Sequence, residues 1–226
     1  MFRSTVLFFA ALLMTSSLHA ATPKGAPVKG ATPDAAITEL LEGNKRFAAG
    51  KKTKHNYMKQ AQATAGDQNP FAAIVSCLDS RIPAEIVFDQ GIGDLFVARV
   101  AGNIENRDIL GSLEFAAQVE GVRTIVVMGH NSCGAVIGAC KNVKLGNLTG
   151  LLDEIKPAVK LAKKSRPDLK EDTSEFYDHV SAENVKKTVG DIVKKSDVIR
   201  KLVDDGKLKV VGAMYNLNTG LVTLVQ

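Results

Sequence analysis

Three side chains of metal-binding type follow two apolar stretches of the sequence. Cys77 comes directly after the run over residues 71–76, and His130 and Cys133 follow the run over residues 122–128. Apolar runs of this length predict buried strands. Two thiols and one imidazole form a donor set that favours zinc. Three protein ligands, rather than four, leave one coordination position open, as catalytic zinc sites do.

A carboxylate and a guanidinium accompany the first of these ligands. Asp79 and Arg81 lie two residues apart, directly after Cys77. We expect them to pair and to face the open position. Such a pair is more often an ion pair that stabilises a turn, but beside a three-ligand zinc site a catalytic role becomes the better interpretation.

The elements that must position these side chains alternate along the chain. Helices are predicted over residues 32–50, 83–88, 108–120, 135–139, 148–164 and 175–201, the last interrupted near Gly190. Strands are predicted over residues 71–76, 95–100, 122–128, 207–215 and 220–225. This alternation predicts an α/β fold with a mainly parallel central sheet flanked by helices, and the last two strands are candidates for an antiparallel edge.

The first 20 residues have the features of a signal peptide. A positive charge at Arg3 precedes an apolar run over residues 6–14, and small residues lead to Ala20. A retained membrane anchor is the alternative, but the short run and the small-residue site favour cleavage after Ala20. Residues 21–31 are predicted to be a flexible leader and residues 32–226 a single domain. We therefore expect a periplasmic protein with no stable membrane insertion after cleavage.

Charge and cysteine count exclude some functions. The formal net charge is +5, and the lysines are scattered rather than clustered with aromatic residues, which indicates a solvated surface and no nucleic-acid binding. No phosphate-binding glycine motif follows a strand, which argues against nucleotide binding. The three cysteines are an odd number, so a pure disulfide framework is disfavoured. In an oxidising compartment a Cys77–Cys133 disulfide with Cys140 free is the alternative to metal binding, but it leaves His130 and Asp79 without a role.

The two motifs together resemble those of the β-class carbonic anhydrases. Cys-x-Asp-x-Arg stands at residues 77–81 and His-x-x-Cys-Gly at residues 130–134. The similarity extends over residues 34–226 and includes Gly-Asp-Leu-Phe-Val at 93–97 and Arg-Val-Ala-Gly-Asn at 99–103. A lone His-x-x-Cys would be weak evidence, whereas two separated motifs are specific.

The resemblance implies an enzyme that hydrates carbon dioxide reversibly to bicarbonate and a proton. One zinc per chain would be held by Cys77, His130 and Cys133, and zinc-bound hydroxide would be the nucleophile. Asp79 would orient this hydroxide, and Arg81 would hold Asp79 ionised. In a closed state of the family, the aspartate becomes a fourth zinc ligand.

The resemblance also implies substrate-binding residues and a partner subunit. Gln68, Phe96 and Gly134 match substrate-binding positions, and Gln68 would reach into a neighbouring subunit's site. The N-terminal helix would be an arm that packs on the partner, in a homodimer or a dimer-based higher oligomer. Some members are locked by bicarbonate in a pocket that uses tryptophan. This chain has no tryptophan, and Ala101 and Phe115 replace valine and tyrosine, so we predict no such locked form.

Two other functions remain open at this stage. The same scaffold could hydrolyse carbon disulfide or carbonyl sulfide, or it could be a non-catalytic zinc- or bicarbonate-binding module. The presence of Asp79, Arg81 and Gln68 disfavours the module, because storage needs only the metal ligands. The proton shuttle is unassigned, and His55 and His179 are the other histidines of the predicted mature chain.

Overall fold

The computed structural model describes residues 29–225, so the predicted signal peptide and most of the predicted leader lie outside the described residues. The helices are α1 Pro33–Ala48, α2 Tyr57–Ala63, α3 Ala84–Val87, α4 Arg107–Glu114, α5 Gly134–Cys140, α6 Gly146–Ser165, α7 Ser174–Lys195 and α8 Asp197–Asp204. The strands are β1 Ala72–Ser76, β2 Leu95–Arg99, β3 Thr124–His130, β4 Lys209–Tyr215 and β5 Val222–Val225. Between residues 29 and 225, no helix has the length and apolar character needed to cross a bilayer.

The five strands form one sheet in the order β2-β1-β3-β4-β5. The first four strands are parallel, and β5 pairs antiparallel with β4, which confirms the predicted α/β fold and its antiparallel edge. Ser76 lies opposite Met128, so β1 and β3 end at the same edge of the sheet. The loops after parallel strands line the sites of such folds. The two segments that carry the predicted metal ligands therefore leave the sheet side by side.

Helices cover both faces of the sheet, each over its own apolar cluster. On one face, Ile74 and Val126 pack with side chains of α1, α3, α5 and α6. On the other, Val75 and Ile125 pack with side chains of α4, α7 and α8. Successive strand residues point to opposite faces, so a strand buried on both faces must be apolar throughout. This explains the unbroken apolar runs in the sequence.

Helix α1 begins as predicted, with Thr32 as its N-cap. Its Leu40 is buried in the core of its own chain. The amide of Asn44, which is 1% exposed, donates to the carbonyls of Val87 at 3.1 Å and Gly220 at 2.8 Å. The helix is thus anchored on its own subunit, and its packing on a partner stays a prediction.

The structure corrects two expectations about helices. Helix α7 continues through Gly190 to Lys195, so the predicted interruption there is wrong, and the break falls at Ser196. Glycine inside a helix costs only about 1 kcal/mol. The packing of Val185 and Ile192 against the sheet outweighs that cost. Helix α2 was not predicted, because it has no buried residue and therefore no apolar periodicity.

Candidate metal centre

Three buried donor atoms converge where β1 and β3 end. Cys77 follows β1, His130 is the last residue of β3, and Cys133 is the N-cap residue of α5. The two sulfurs and an imidazole nitrogen all lie within 4.8 Å of one another, and the three residues are at most 4% exposed. The parallel pairing of β1 with β3 brings together ligands that are distant in sequence.

The geometry of these atoms fits zinc better than a disulfide. A tetrahedral zinc with Zn–S bonds of about 2.3 Å places two sulfur ligands about 3.8 Å apart. The sulfurs of Cys77 and Cys133 are 3.9 Å apart, and both cysteines are free. The Nδ1 of His130 donates to the carbonyl of Asn131 at 2.8 Å, while its buried Nε2 has no hydrogen-bond partner among the described residues. A histidine fixed in this way presents its Nε2 lone pair to a metal.

The thiols of Cys77 and Cys133 differ in acidity. The hydrogen bond from Cys133 lowers the pKa of Cys77 to about 4, and contacts with His130 and the backbone N–H of Gly102, 3.2 Å from the sulfur, add to this effect. The same contact with Cys77, together with burial, raises the pKa of Cys133 above its ordinary value. Cys77 is therefore the more acidic thiol of the pair. A bound cation is what allows both to be thiolates.

A carboxylate is held beside the three donors. Arg81 donates to Asp79 Oδ1 from its backbone N–H at 3.0 Å and from Nε at 2.9 Å, and to Oδ2 from Nη2 at 2.7 Å. These bonds from Arg81 lower the pKa of Asp79 to about 2. Asp79 Oδ2 lies 3.8 Å from His130 Nε2. The structure thus brings the predicted pair together, with the carboxylate directed at the metal centre.

Arg99 was not singled out as a functional residue in the sequence. It ends β2 and donates to the carbonyls of Cys77 at 3.2 Å, Leu78 at 3.2 Å and Asp79 at 2.5 Å. These hydrogen bonds fix the loop that carries Cys77 and Asp79. Two signals were available: a charged side chain near the end of a predicted strand, and its place in the stretch 99–103 that resembles the family.

The three predicted substrate-binding residues are placed differently from one another. Gly134 is exposed and directly follows Cys133. Gln68 is exposed and precedes β1, whereas Cys77 follows it, so the strand's length of about 16 Å separates them. Phe96 stacks edge-to-face with Phe115 at 6.2 Å, in a pocket of about 680 Å³ that none of the three metal-binding residues lines. Within one chain, neither Gln68 nor Phe96 reaches the metal centre.

His55 and His179, the other two histidines within residues 29–225, make contacts that involve none of the three donor residues. His55 Nε2 lies 3.4 Å from Asp89 Oδ1, and its Nδ1 lies 3.2 Å from the amide of Gln60. His179 shares a hydrogen bond of 2.9 Å with Ser165. The proton shuttle therefore stays unassigned.

Comparisons with known proteins agree with this geometry. The family model for carbonic anhydrase matches residues 72–222. A carbonic anhydrase 2 of Mycobacterium tuberculosis is 37% identical over 198 residues, which cover 85% of this chain and 92% of the relative.

Solved structures share the fold. The β-carbonic anhydrase CafA of Aspergillus fumigatus matches with a TM-score of 0.68 and 25% identity, covering 84% of this chain and 91% of that one. One of two tetrameric β-carbonic anhydrases of Sordaria macrospora matches with a TM-score of 0.66 and 23% identity, covering 84% and 96%. Because the family model spans well over half of the sequence, and the fold and donor set agree with it, this chain belongs to the β-class carbonic anhydrases.

Proposed function

We propose that this chain binds one zinc ion through Cys77, His130 and Cys133 and uses it to interconvert carbon dioxide and bicarbonate. The observation that carries the proposal is the set of three buried donors with a sulfur separation suited to zinc. Zinc held there would lower the pKa of a bound water and so supply a nucleophile near neutral pH. Membership of the carbonic anhydrase family supports carbon dioxide as the electrophile.

In this proposal, Asp79 accepts a hydrogen bond from the nucleophilic water and orients its lone pair. Its pKa of about 2 keeps it an acceptor throughout the neutral range. Arg81 holds both carboxylate oxygens, which leaves the carboxylate little rotational freedom. In the closed state, with Asp79 as a fourth ligand, the carboxylate would have to give up hydrogen bonds with Arg81; its Oδ2 lies 3.8 Å from His130 Nε2.

We further propose a homodimer, or a higher oligomer built from dimers, in which Gln68 and Phe96 serve a neighbouring subunit's site. Both residues are too far from their own metal centre to act there. Strand β2 is the edge of the sheet and only partly buried, and Phe115 beside it is 45% exposed. The tetrameric relatives of Sordaria macrospora are consistent with assembly. Packing of α1 on the partner belongs to the same proposal.

Export to the periplasm remains part of the proposal. It rests on residues 1–20, and cleavage after Ala20 is the expected processing. Mass determination of the mature N-terminus in the native host would test it.

The deciding experiment is stopped-flow hydration of carbon dioxide by the mature protein with its zinc content quantified. Cys133→Ser removes a proposed ligand, and Cys140→Ser is the matched control, because Cys140 lies at the end of α5 outside the donor cluster. We expect fast hydration at about one zinc per chain. Activity and zinc should be lost in Cys133→Ser and kept in Cys140→Ser.

Absence of carbon dioxide hydration would also decide the question. Zinc-loaded protein that is inactive from neutral to alkaline pH would refute the proposal. The same samples should then be assayed with carbon disulfide and carbonyl sulfide.

Asp79→Asn separates chemistry from metal binding, because it should keep zinc while kcat/KM falls by about 10²–10⁴.

A further inference from the structure

Helix α7 contacts the loops that carry the metal-binding residues, although it follows them in sequence by more than forty positions. Asn184, in the middle of this helix, is 0% exposed, and its Nδ2 donates to the carbonyl oxygen of Gly102 at 2.7 Å. Gly102 in turn donates its backbone N–H to Cys77 Sγ at 3.2 Å. Asn184 therefore acts on the first metal ligand through a single intervening residue.

The backbone of Gly102 is suited to this relay. Its φ of +74° is a left-handed conformation that favours glycine. A Cβ at this position would lie 2.5 Å from Ile155 Cδ1, so a side chain here would require that methyl group to move. The bond from Asn184 to the carbonyl holds Gly102 in the orientation that directs its N–H at the sulfur.

The same helix holds the second ligand loop. Asp178 Oδ1 accepts a hydrogen bond of 2.8 Å from the backbone N–H of Ser132, which lies between His130 and Cys133. Ser132 has a φ of +54°, an uncommon conformation for a residue with a side chain. Helix α7 thus positions both ligand loops relative to one rigid element.

The buried side-chain amide of Asn184 satisfies only part of its hydrogen-bonding capacity. Its buried Oδ1 has no hydrogen-bond partner among the described residues. Burying an amide that satisfies only part of its hydrogen-bonding capacity is unfavourable compared with burying an apolar side chain. An apolar residue would avoid that cost but would leave the buried carbonyl of Gly102 without its donor, so the amide at this position is explained by the group that its Nδ2 holds.

We propose that Asn184 is a positioning residue for the metal centre, which acts through Gly102 to hold Cys77 Sγ and to slow the release of the metal. The inference rests on the metal binding in the proposed function. A hydrogen bond from a backbone N–H to a thiolate is charge-assisted and fixes the sulfur's position. Outer-shell partners of this kind typically change metal affinity by about 10–100-fold when they are removed.

The test measures metal release rather than activity. Asn184→Leu and Asn184→Ala are loaded with zinc, and transfer of the zinc to a chromogenic chelator is followed in time. Thr188→Val is the matched control, because Thr188 is also 0% exposed and lies one turn further along α7. Its hydroxyl has no hydrogen-bond partner within residues 29–225, and it makes no hydrogen bond to Gly102. We expect release at least about tenfold faster from both Asn184 variants and nearly unchanged from Thr188→Val.

A second readout distinguishes positioning from a general loosening of the core. In cobalt-substituted protein, the thiolate-to-metal charge-transfer absorption should shift in the Asn184 variants and not in Thr188→Val. Urea unfolding of the metal-free proteins measures the stability that each variant loses, and we expect a loss in Asn184→Leu because the buried carbonyl of Gly102 is left without its donor.

Two outcomes would overturn the inference. One is release from the Asn184 variants at the parent rate, and the other is equal acceleration by Thr188→Val. A protein that binds zinc but hydrates no carbon dioxide would refute the proposed function and leave this inference standing, because neither readout involves substrate.

Discussion

Gly129 connects the packing of the fold to the metal centre. It lies one residue before His130 in β3, where α7 packs on the sheet. A Cβ at this position would be 2.6 Å from Val185 Cγ2 and 3.0 Å from Met214 Sδ. Carbon atoms normally approach to about 3.5–4.0 Å. Gly129→Ala should therefore force β3 and α7 apart by about 1 Å and displace His130.

The size of the effect follows from the contact. Adding a methyl group to a well-packed interior costs about 1–3 kcal/mol. For a domain of this size each kcal/mol lowers the melting temperature by about 2–4 °C, so Gly129→Ala should melt roughly 2–12 °C lower. Displacement of His130 should also weaken zinc binding by about tenfold or more.

Gly212→Ala is the matched control for the metal effect. A Cβ there would lie 2.6 Å from Cγ1 of the same Val185, but Gly212 is in β4, three positions from the strand end and next to no ligand. We expect a similar loss of stability with zinc affinity close to that of the parent. Adding Val185→Ala to Gly129→Ala removes the opposing methyl groups and should restore part of the zinc affinity.

The assay combines urea unfolding of each metal-free variant with zinc affinity measured by competition with a chelator. Two results would refute the reasoning. One is a Gly129→Ala protein as stable as the parent. The other is an equal loss of zinc affinity in Gly129→Ala and Gly212→Ala, because the effect would then be global rather than transmitted through His130.

Three further predictions concern titration and metal removal. Burial raises the pKa of Asp89, but hydrogen bonds from Arg46 and Thr53 outweigh it, so the net pKa is lowered. The ionised form of Asp89 therefore stabilises the fold above the unfolded pKa of about 3.9, and this contribution is lost as pH falls through the lower folded pKa. In Asp89→Asn, the unfolding free energy should fall less steeply below about pH 4 than in the parent. An unchanged slope would contradict this. Burial raises the pKa of Cys140 to about 11, so at pH 8 only about one molecule in a thousand carries the thiolate. Labelling of Cys140 by iodoacetamide in the native protein should therefore be slow. Rapid labelling would contradict the burial of this thiol. Removal of the metal by a chelator should lower the urea midpoint and make the thiol of Cys77 reactive, and an unchanged midpoint would show that the metal contributes nothing to stability.

The sequence by itself identified the three residues that could hold a metal ion. Their chemistry is local, because a thiol, an imidazole and the neighbouring carboxylate lie within two short motifs, each preceded by an apolar run that predicts a buried strand. The alternation of strands and helices likewise predicted the class of fold. Asp79 and Arg81 could be paired from the sequence because they are two residues apart.

Only the tertiary structure decided which distant groups support the site. Arg99 and Asn184 act by hydrogen bonds to backbone carbonyls, and Asp178 by a hydrogen bond to a backbone N–H; such partners have no side-chain signature in the sequence. Helix α7 continues through Gly190 because packing on the sheet outweighs a local glycine penalty. The order of strands in the sheet places β1 beside β3 and so brings Cys77 to His130. The sequence names the donor atoms, but their distances depend on contacts between segments far apart in the chain, which no local pattern encodes.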